Sequence, residues 1–251
     1  MEFDELKFFT GFTEFDYPSR FAECKNLVSI NLSNIVKISG YNGYQRYGFE
    51  NCTSLKNVVI NPAMTEIGFQ AFLNCTSLEE IDLRHIKTIY ANAFKGSGVK
   101  DVDMTNVETI GEGAFIECKN LNIEINLPNL KGTLGNSAFA GLSITKIVSL
   151  GSVSIIGTGT NSYGWGPFKN CGNLLEVILP TTVTNIGWGA FNNCSALRFI
   201  KILAAVPPAL STSVFDNTNN CPLYVPAASV AAYKTATNWS NYASRIQAII
   251  D

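Results

Sequence analysis

Apolar residues recur along this chain in a fixed order, separated by polar stretches of nearly constant length. One unit shows the grammar: Leu55-Lys-Asn-Val58-Val-Ile60, then Met64, Ile67-Gly68, Ala71-Phe72 and Asn74-Cys75, before a new start at Leu78. The same order returns as Leu78/Ile81/Leu83/Ile86/Ile89/Ala93-Phe94, as Val99/Val102/Met104/Val107/Ile110/Ala114-Phe115, and as Leu174/Val177/Leu179/Val183/Ile186/Ala190-Phe191. Within each unit, Val58-x-Ile60 and Ile81-x-Leu83 alternate with polar residues, the period of a short strand with one buried face. The phenylalanines Phe21, Phe49, Phe72, Phe94, Phe115, Phe139, Phe168, Phe191 and Phe215 are spaced by 28, 23, 22, 21, 24, 29, 23 and 24 residues. A period near 23 with two long units marks a solenoid, in which no coil buries its apolar edge alone and stacked neighbours bury it for one another.

Each remaining slot has a physical reason. The small Ala of Ala-Phe leaves room for the ring. Asn51, Asn74, Asn170 and Asn193, replaced by Gly96 and Gly141, share a tolerance for positive φ and predict the close of a short helical turn. Gly68, Gly111, Gly157 and Gly187 mark a second turn after the isoleucine-type position. Six of the seven cysteines, Cys24, Cys52, Cys75, Cys118, Cys171 and Cys194, stand three residues after a phenylalanine. A recurring slot reads as buried core thiols, not as a disulfide framework, and no recurring basic neighbour would stabilise a thiolate. The predicted fold is a single α/β solenoid domain over 1–251, with short parallel strands and short helical turns. A degenerate N-terminal unit spans 1–26, where Phe12-Thr-Glu-Phe15 stands for Met64-Thr-Glu-Ile67. Eight repeats span 27–222, starting at Leu27, Leu55, Leu78, Val99, Leu121, Ile144, Leu174 and Leu197, and a strand with a helical cap spans 223–251. In Ala227 to Ile250 the apolar Val230, Tyr233, Trp239, Tyr242, Ile246 and Ile249 sit among polar residues, as a terminal element covering the last coil requires.

The unit Leu-x-x-Ile-x-Leu…Ile-Gly-x-x-Ala-Phe-x-Asn-Cys resembles the BspA-like, or Treponema-type, bacterial leucine-rich repeat. The ending Leu223-Tyr-Val225-Pro226, with Asn238-Trp239-Ser240, is similar to the closing segment of such proteins in gut Bacteroides relatives. The resemblance covers about residues 12 to 250. It implies a leucine-rich-repeat solenoid at the cell surface or secreted, from a family implicated in adhesion to host matrix proteins or other cells, and it carries no catalytic residues. The pattern is uneven at Tyr41–Tyr47, Leu121–Leu130 and Thr158–Pro167.

Composition narrows the function. Charged residues are 15% of the 251 and the net charge is −2, so no broad nucleic-acid surface is expected. The longest apolar runs, such as Ile202 to Val206, are too short to span a bilayer, so an integral membrane protein is not expected. The start Met1-Glu2-Phe3-Asp4-Glu5 is acidic where a secretory signal is basic and then apolar; the chain is expected either to be intracellular or to lack its signal here. The single histidine, His85, has no partner at ligand spacing, so no metal or cofactor is expected. There is no Gly-x-Ser-x-Gly elbow, and Gly157-Thr-Gly-Thr-Asn is not followed by Gly-Lys-Ser/Thr. The expectation is a non-catalytic chain.

Two features are candidates for binding. The solvent-facing strand column is acidic in the middle coils, with Glu79, Glu80 and Asp82, then Asp101 and Asp103, then Glu124; it becomes apolar at Val148, Ile178 and Phe199. A solvated face is the plain explanation for these acids, but stacked carboxylates repel, and their persistence points to a basic partner or a cation. The second feature is a pair of insertions rich in aromatics and glycine, Tyr41-Asn-Gly-Tyr44-Gln-Arg-Tyr47 and Asn161-Ser-Tyr163-Gly-Trp165-Gly-Pro167, at equivalent places in their units. Insertions at one repeat position emerge on one face, and their rings either bind or fold back over a bulged coil. A protein partner through either feature is the first expectation. A glycan stacked on Tyr41, Tyr44, Tyr163 and Trp165 is the alternative, and a structural spacer the third.

Overall fold

An apolar slot that returns every coil can be buried only by stacking it on itself, and the chain does this three times per coil. The structure, a computed structural model, describes residues 2–3, 14–15, 21–38, 48–159 and 165–250. Every strand pairing in it is parallel, as a stack of coils wound in one sense requires.

The isoleucine-type slot forms the most regular column. Nine short strands, Glu14–Phe15, Lys37–Ile38, Glu66–Ile67, Thr88–Ile89, Thr109–Ile110, Lys131–Leu134, Ser152–Ile156, Asn185–Ile186 and Ala209–Leu210, make one continuous sheet. Its register sets Phe15, Ile38, Ile67, Ile89, Ile110, Leu134, Ile156, Ile186 and Leu210 side by side. The alignment of Phe15 with Ile67 is the one the sequence predicts. After this strand, Gly111, Gly135 and Gly187 pass close to the preceding coil: a Cβ on Gly135 would stand 2.4 Å from the backbone of Gly111 and Glu112, and one on Gly187 would stand 2.5 Å from the Gly157 carbonyl. These glycines are needed for close approach between coils, and only Gly157 among the four expected turn glycines has a positive φ, of 74°.

The Ala-Phe segment forms consecutive tight turns, and its hydrogen bonds alternate between two directions. In one coil the amides of Ala71, Leu73 and Cys75 bond back to the carbonyls of Gly68, Gln70 and Phe72, while those of Gln70, Phe72 and Asn74 bond to Ala91, Ala93 and Lys95 of the next coil. The segment is therefore a turn and a ladder at once, which satisfies every second amide across the stack. The position two after each phenylalanine has positive φ throughout the nine coils, from Glu23 and Asn51 to Asn193 and Asn217, as expected for Asn and Gly but also where Glu23 and Glu117 stand.

Inside this turn the nine phenylalanines stack as one ladder, with ring centroids 5.2 to 6.1 Å apart and planes within 21° of parallel. Offset-parallel rings at this spacing are favourable and exclude water. The cysteine slot lies beside them. Its thiols donate to the phenylalanine carbonyl of the preceding coil: Cys52 to Phe21, Cys75 to Phe49, Cys118 to Phe94, Cys171 to Phe139 and Cys194 to Phe168, at 2.9 to 3.2 Å. All seven cysteines are unpaired, and all but the half-buried Cys24 are buried. Burial pushes the Cys52 and Cys171 thiols up to about 12 and that of Cys118 to about 11. They are inert packing groups.

The first column, from Leu-x-x-Val-x-Ile, is broken into pieces. Glu2–Phe3, Ser29–Leu32 and Asn57–Ile60 form one sheet, which ends at Asn57–Ile60; only the single bridge Glu80↔Asp101 joins the next coils. Ile125–Asn126 pairs with Ile147–Ser149, and Glu176–Leu179, Phe199–Ile202, Leu223–Val225 and Ile246–Ala248 complete the column. The C-terminal end is covered as expected, with one difference. Ala227–Ser229 and Trp239–Arg245 are 3-10 turns around an α-helix at Val230–Thr235, but Ile246–Ala248, expected within the helical cap, is a strand that extends the sheet. Its residues repeat the alternation of Leu223–Val225, and that ladder captures them.

Candidate interaction surfaces

The break in the first column opens a groove. It is a depression of about 720 Å³ lined by Asn57 to Val59 on one side and by Glu80 to Arg84 and Asp101 to Asp103 on the other. A second opening, lined by Lys56, Asn57, Thr76, Ser77, Glu79 and Glu80, continues along the same coil boundary. The turn that follows the strand is one residue longer in the Ile60–Met64 coil than in the Leu83–Ile86 coil, where the column parts; the same difference from the Leu32–Ile35 coil leaves Ser29–Leu32 and Asn57–Ile60 fully paired, so turn length alone does not part the strands. The floor is apolar: Val59 is 51% exposed, and Val58 is half-buried where most coils bury this slot fully.

The four expected carboxylates, Glu80, Asp82, Asp101 and Asp103, are all at this groove, and they are not equivalent. Asp82 receives two bonds from the Arg84 guanidinium, at 2.9 and 2.7 Å, which hold its carboxyl down to about 2. Asp103 accepts from the Thr105 amide and hydroxyl, at 3.0 and 2.7 Å, and these bonds lower its carboxyl from the usual range. Glu79 pairs with Lys100 at 2.7 Å. Glu80 and Asp101 are bridge partners, exposed side by side, and have no ion pair among the described residues.

The apolar end of the column is less open than expected. Val148 is exposed, but Ile178 and Phe199 are half-buried, and the Phe199 ring lies 6.2 Å from that of Tyr224. The register places Ile178 beside Lys201 and Phe199 beside Glu176, so this surface mixes charge with apolar groups and forms no continuous apolar patch.

Of the aromatic insertions, Tyr41, Tyr44, Tyr47 and Tyr163 lie outside the described residues. Trp165 is described and is 43% exposed. Its carbonyl accepts from the Ser137 amide at 2.7 Å and from the Ser137 hydroxyl at 3.1 Å, which ties the end of the insertion to the coil below. The other end is held by Asn136, whose side-chain Oδ1 accepts the amides of Thr158 and Gly159 at 2.8 and 3.1 Å. Two neighbours of Trp165 were not singled out from the sequence. The Lys169 ammonium sits 5.0 Å from the Trp165 ring centre and 4.6 Å from that of Trp188. The repeat carries the signal: Trp165 and Trp188 both stand three residues before their phenylalanine, and Lys169 directly follows Phe168.

Among the described residues there is no group of three or more His, Cys, Asp or Glu side chains that would hold a metal ion. No helix among them is long and apolar enough to cross a membrane.

A stack of parallel coils with a phenylalanine ladder, an asparagine turn and a leucine-initiated strand defines a leucine-rich-repeat solenoid. The chain belongs to the BspA type leucine rich repeat family, whose region matches in 6 copies over residues 17–83, 42–166 and 87–222. No curated protein matches the chain by sequence. Among solved structures it is similar to a leucine-rich repeat protein from Bacteroides ovatus, with 19% identity, 95% of this chain and 88% of that one covered, and a TM-score of 0.37. It is also similar to a leucine rich cell surface protein from Faecalibacterium prausnitzii, with 19% identity, 89% and 83% covered, and a TM-score of 0.33.

Proposed function

We propose that this chain is a non-catalytic interaction module, displayed at the cell surface or secreted, that docks an extended basic segment of a protein partner in the groove of the first strand column. The observation that carries the reading is the interruption after Asn57–Ile60, which leaves a strand edge open beside exposed Val59 and beside the unneutralised pair Glu80 and Asp101. An open edge offers main-chain hydrogen bonds to an added strand, and alternate side-chain contacts give it specificity. The carboxylates favour lysine or arginine in that segment, while Arg84 and Lys100 hold Asp82 and Glu79 in place. The adhesive role implied by the family resemblance needs a surface of this kind.

The test is a screen of host matrix and cell-surface proteins on an array, followed by calorimetry of any hit with the intact chain and with an E80Q/D101N double variant. The reading expects at least a tenfold loss in the variant and affinity that falls steeply between 0.1 and 0.5 M salt, on the order of the screening expected of exposed charges. Unchanged binding by the variant, or binding indifferent to salt, rejects this groove as the docking site.

A further inference from the structure

We propose that the corner formed by Trp165, Lys169 and Trp188 is a second binding site, separate from the strand groove, and that it takes a carboxylated pyranose of an acidic glycan. The corner lies on the Ala-Phe turn, outside the phenylalanine ladder, where Phe168 and Phe191 stack at 5.5 Å and so hold the two coils that carry it in fixed register. Trp165 and Trp188 occupy one repeat slot in successive coils, and Lys169 projects between their rings.

Three observations select the ligand class. First, the indole of Trp165 is 43% exposed although the coil beneath it is fully packed, so the ring is not needed to fill the core. Flat aromatic faces of this kind stack on the apolar face of a sugar ring. Second, Lys169 has no carboxylate partner among the described residues, and the adjoining stretch 160–164, Thr-Asn-Ser-Tyr-Gly, contains no acid that would supply one. A cation held over two indoles and left without a counter-ion favours an anionic ligand group. Third, the surrounding polar side chains are neutral amides and hydroxyls. Asn192 donates to the Ser213 carbonyl at 3.5 Å, Asn136 donates to the Thr158 hydroxyl at 3.2 Å, and Asn170 accepts from Asn193 at 2.8 Å. Asp216, one coil beyond Trp188, already accepts from the Tyr242 hydroxyl at 3.2 Å. The site therefore offers stacking surface and one positive charge, among neutral polar side chains that supply no competing carboxylate. A neutral sugar leaves the ammonium without an anion, and an anion without a ring leaves the indoles in water.

The experiment is calorimetry of the full chain with an oligogalacturonate, with its methyl ester and with sialyllactose. The ester keeps the ring and its hydroxyls while removing the charge. Binding of either acidic probe, at least tenfold tighter than the ester, is the expected result. K169Q and W165A are each expected to weaken that binding at least tenfold with an unchanged melting curve, and K169R to restore most of it. A preference for oligogalacturonate over sialyllactose assigns uronic acids as the source of the carboxylate, and the reverse assigns sialic acids. Equal binding of acid and ester, full binding by K169Q, or no binding of either acidic probe overturns the proposal. E80Q/D101N leaves this binding intact, so failure here is distinguishable from failure of the protein-docking groove.

Discussion

At the scale of single residues, the repeat imposes a backbone conformation before it imposes a side chain. The slot two after each phenylalanine has positive φ, and glycine or asparagine meets that demand with least strain. Asn adds a second contribution, because its side-chain amide reaches the preceding coil: Asn74 donates to Asn51 at 2.9 Å, Asn193 to Asn170 at 2.8 Å and Asn217 to Asn193 at 2.7 Å. Glu117 occupies the slot at φ 66° with neither advantage, and its exposed contact with Lys95 is long, at 3.8 Å. E117N is accordingly expected to stabilise the chain by about 0.5 to 1 kcal/mol, since a left-handed L-residue costs more than a surface ion pair returns. A urea denaturation midpoint that rises in the variant checks this. The thiols allow a second test at the same scale. Cys52, Cys118 and Cys171 hold their protons to about pH 11 or 12 in the folded chain, whereas in the unfolded chain they ionise near the ordinary value of 9.0. As the pH approaches and passes 9 the unfolded state binds fewer protons than the native one, so stability falls mainly as the pH rises from 9 toward 12 and is fully present well below 9. Urea midpoints at pH 7, 9 and 10.5 should decline slightly over the first interval and steeply over the second. Alkylation at pH 8 should modify the half-buried Cys24 first and the buried thiols only in denaturant.

At the scale of elements, the C-terminal turns complete the ladder. Tyr233 and Trp239 are fully buried with their rings at 80° and 4.8 Å, and Trp239 faces Phe215, the last rung, at 5.7 Å. Their polar atoms are satisfied by the coil they cover: the Tyr233 hydroxyl donates to the Ala204 carbonyl at 2.8 Å and the Trp239 indole to Pro208 at 2.7 Å. Arg245 reaches Cys221 and Thr218. Replacing Trp239 with Ala leaves a large cavity and an unpaired Pro208 carbonyl, an expected loss of about 3 to 5 kcal/mol. W239F restores most of the volume and is expected to recover all but about 1 to 2 kcal/mol, the share of the hydrogen bond. Thermal unfolding of the pair separates the two contributions. These elements also show what a sequence reveals. The ladder was legible because Phe72 or Phe168 must fill the same space in every coil, so composition repeats with position. The cap was legible as apolar residues at irregular spacing, but the strand at Ile246–Ala248 was not, because three residues with one alternation match a helix turn as well as a strand. The groove was hidden for a related reason. Val58 and Ile60 have the residue types of every other coil, and the extra residue between Ile60 and Met64 recurs between Leu179 and Val183, where the column stays paired, so no residue marks the break. The Trp165 insertion was visible, but Lys169 and Trp188 lie in the regular part of the repeat, where residues differing from the consensus are expected and attract no notice.

At the scale of the whole molecule, stability is distributed along one axis, because a coil touches chiefly the coils before and after it. Two columns are continuous from end to end, the nine-stranded sheet and the phenylalanine ladder, whereas the first strand column is divided into segments. Cooperative unfolding therefore depends on the continuous pair, and Phe115, the fifth of nine rungs, couples the two halves. Its ring is fully buried, 5.2 Å from Phe94 and 5.5 Å from Phe139. Phe115→Ala removes both stacking contacts and opens a cavity, at a cost on the order of 3 to 5 kcal/mol. In a globular domain that loss lowers a single transition, but in a quasi-one-dimensional stack it weakens the interface between neighbours. The expected result is a guanidinium unfolding curve that broadens or divides into two steps, with the slope of each below that of the parent chain. Phe21→Ala, the first of the nine rungs, removes the stacking contact with Phe49 and is expected to leave a single transition at lower denaturant. A single sharp transition for Phe115→Ala, shifted without loss of slope, would mean that the nine-stranded sheet alone carries the coupling and that the ladder contributes packing energy without cooperativity.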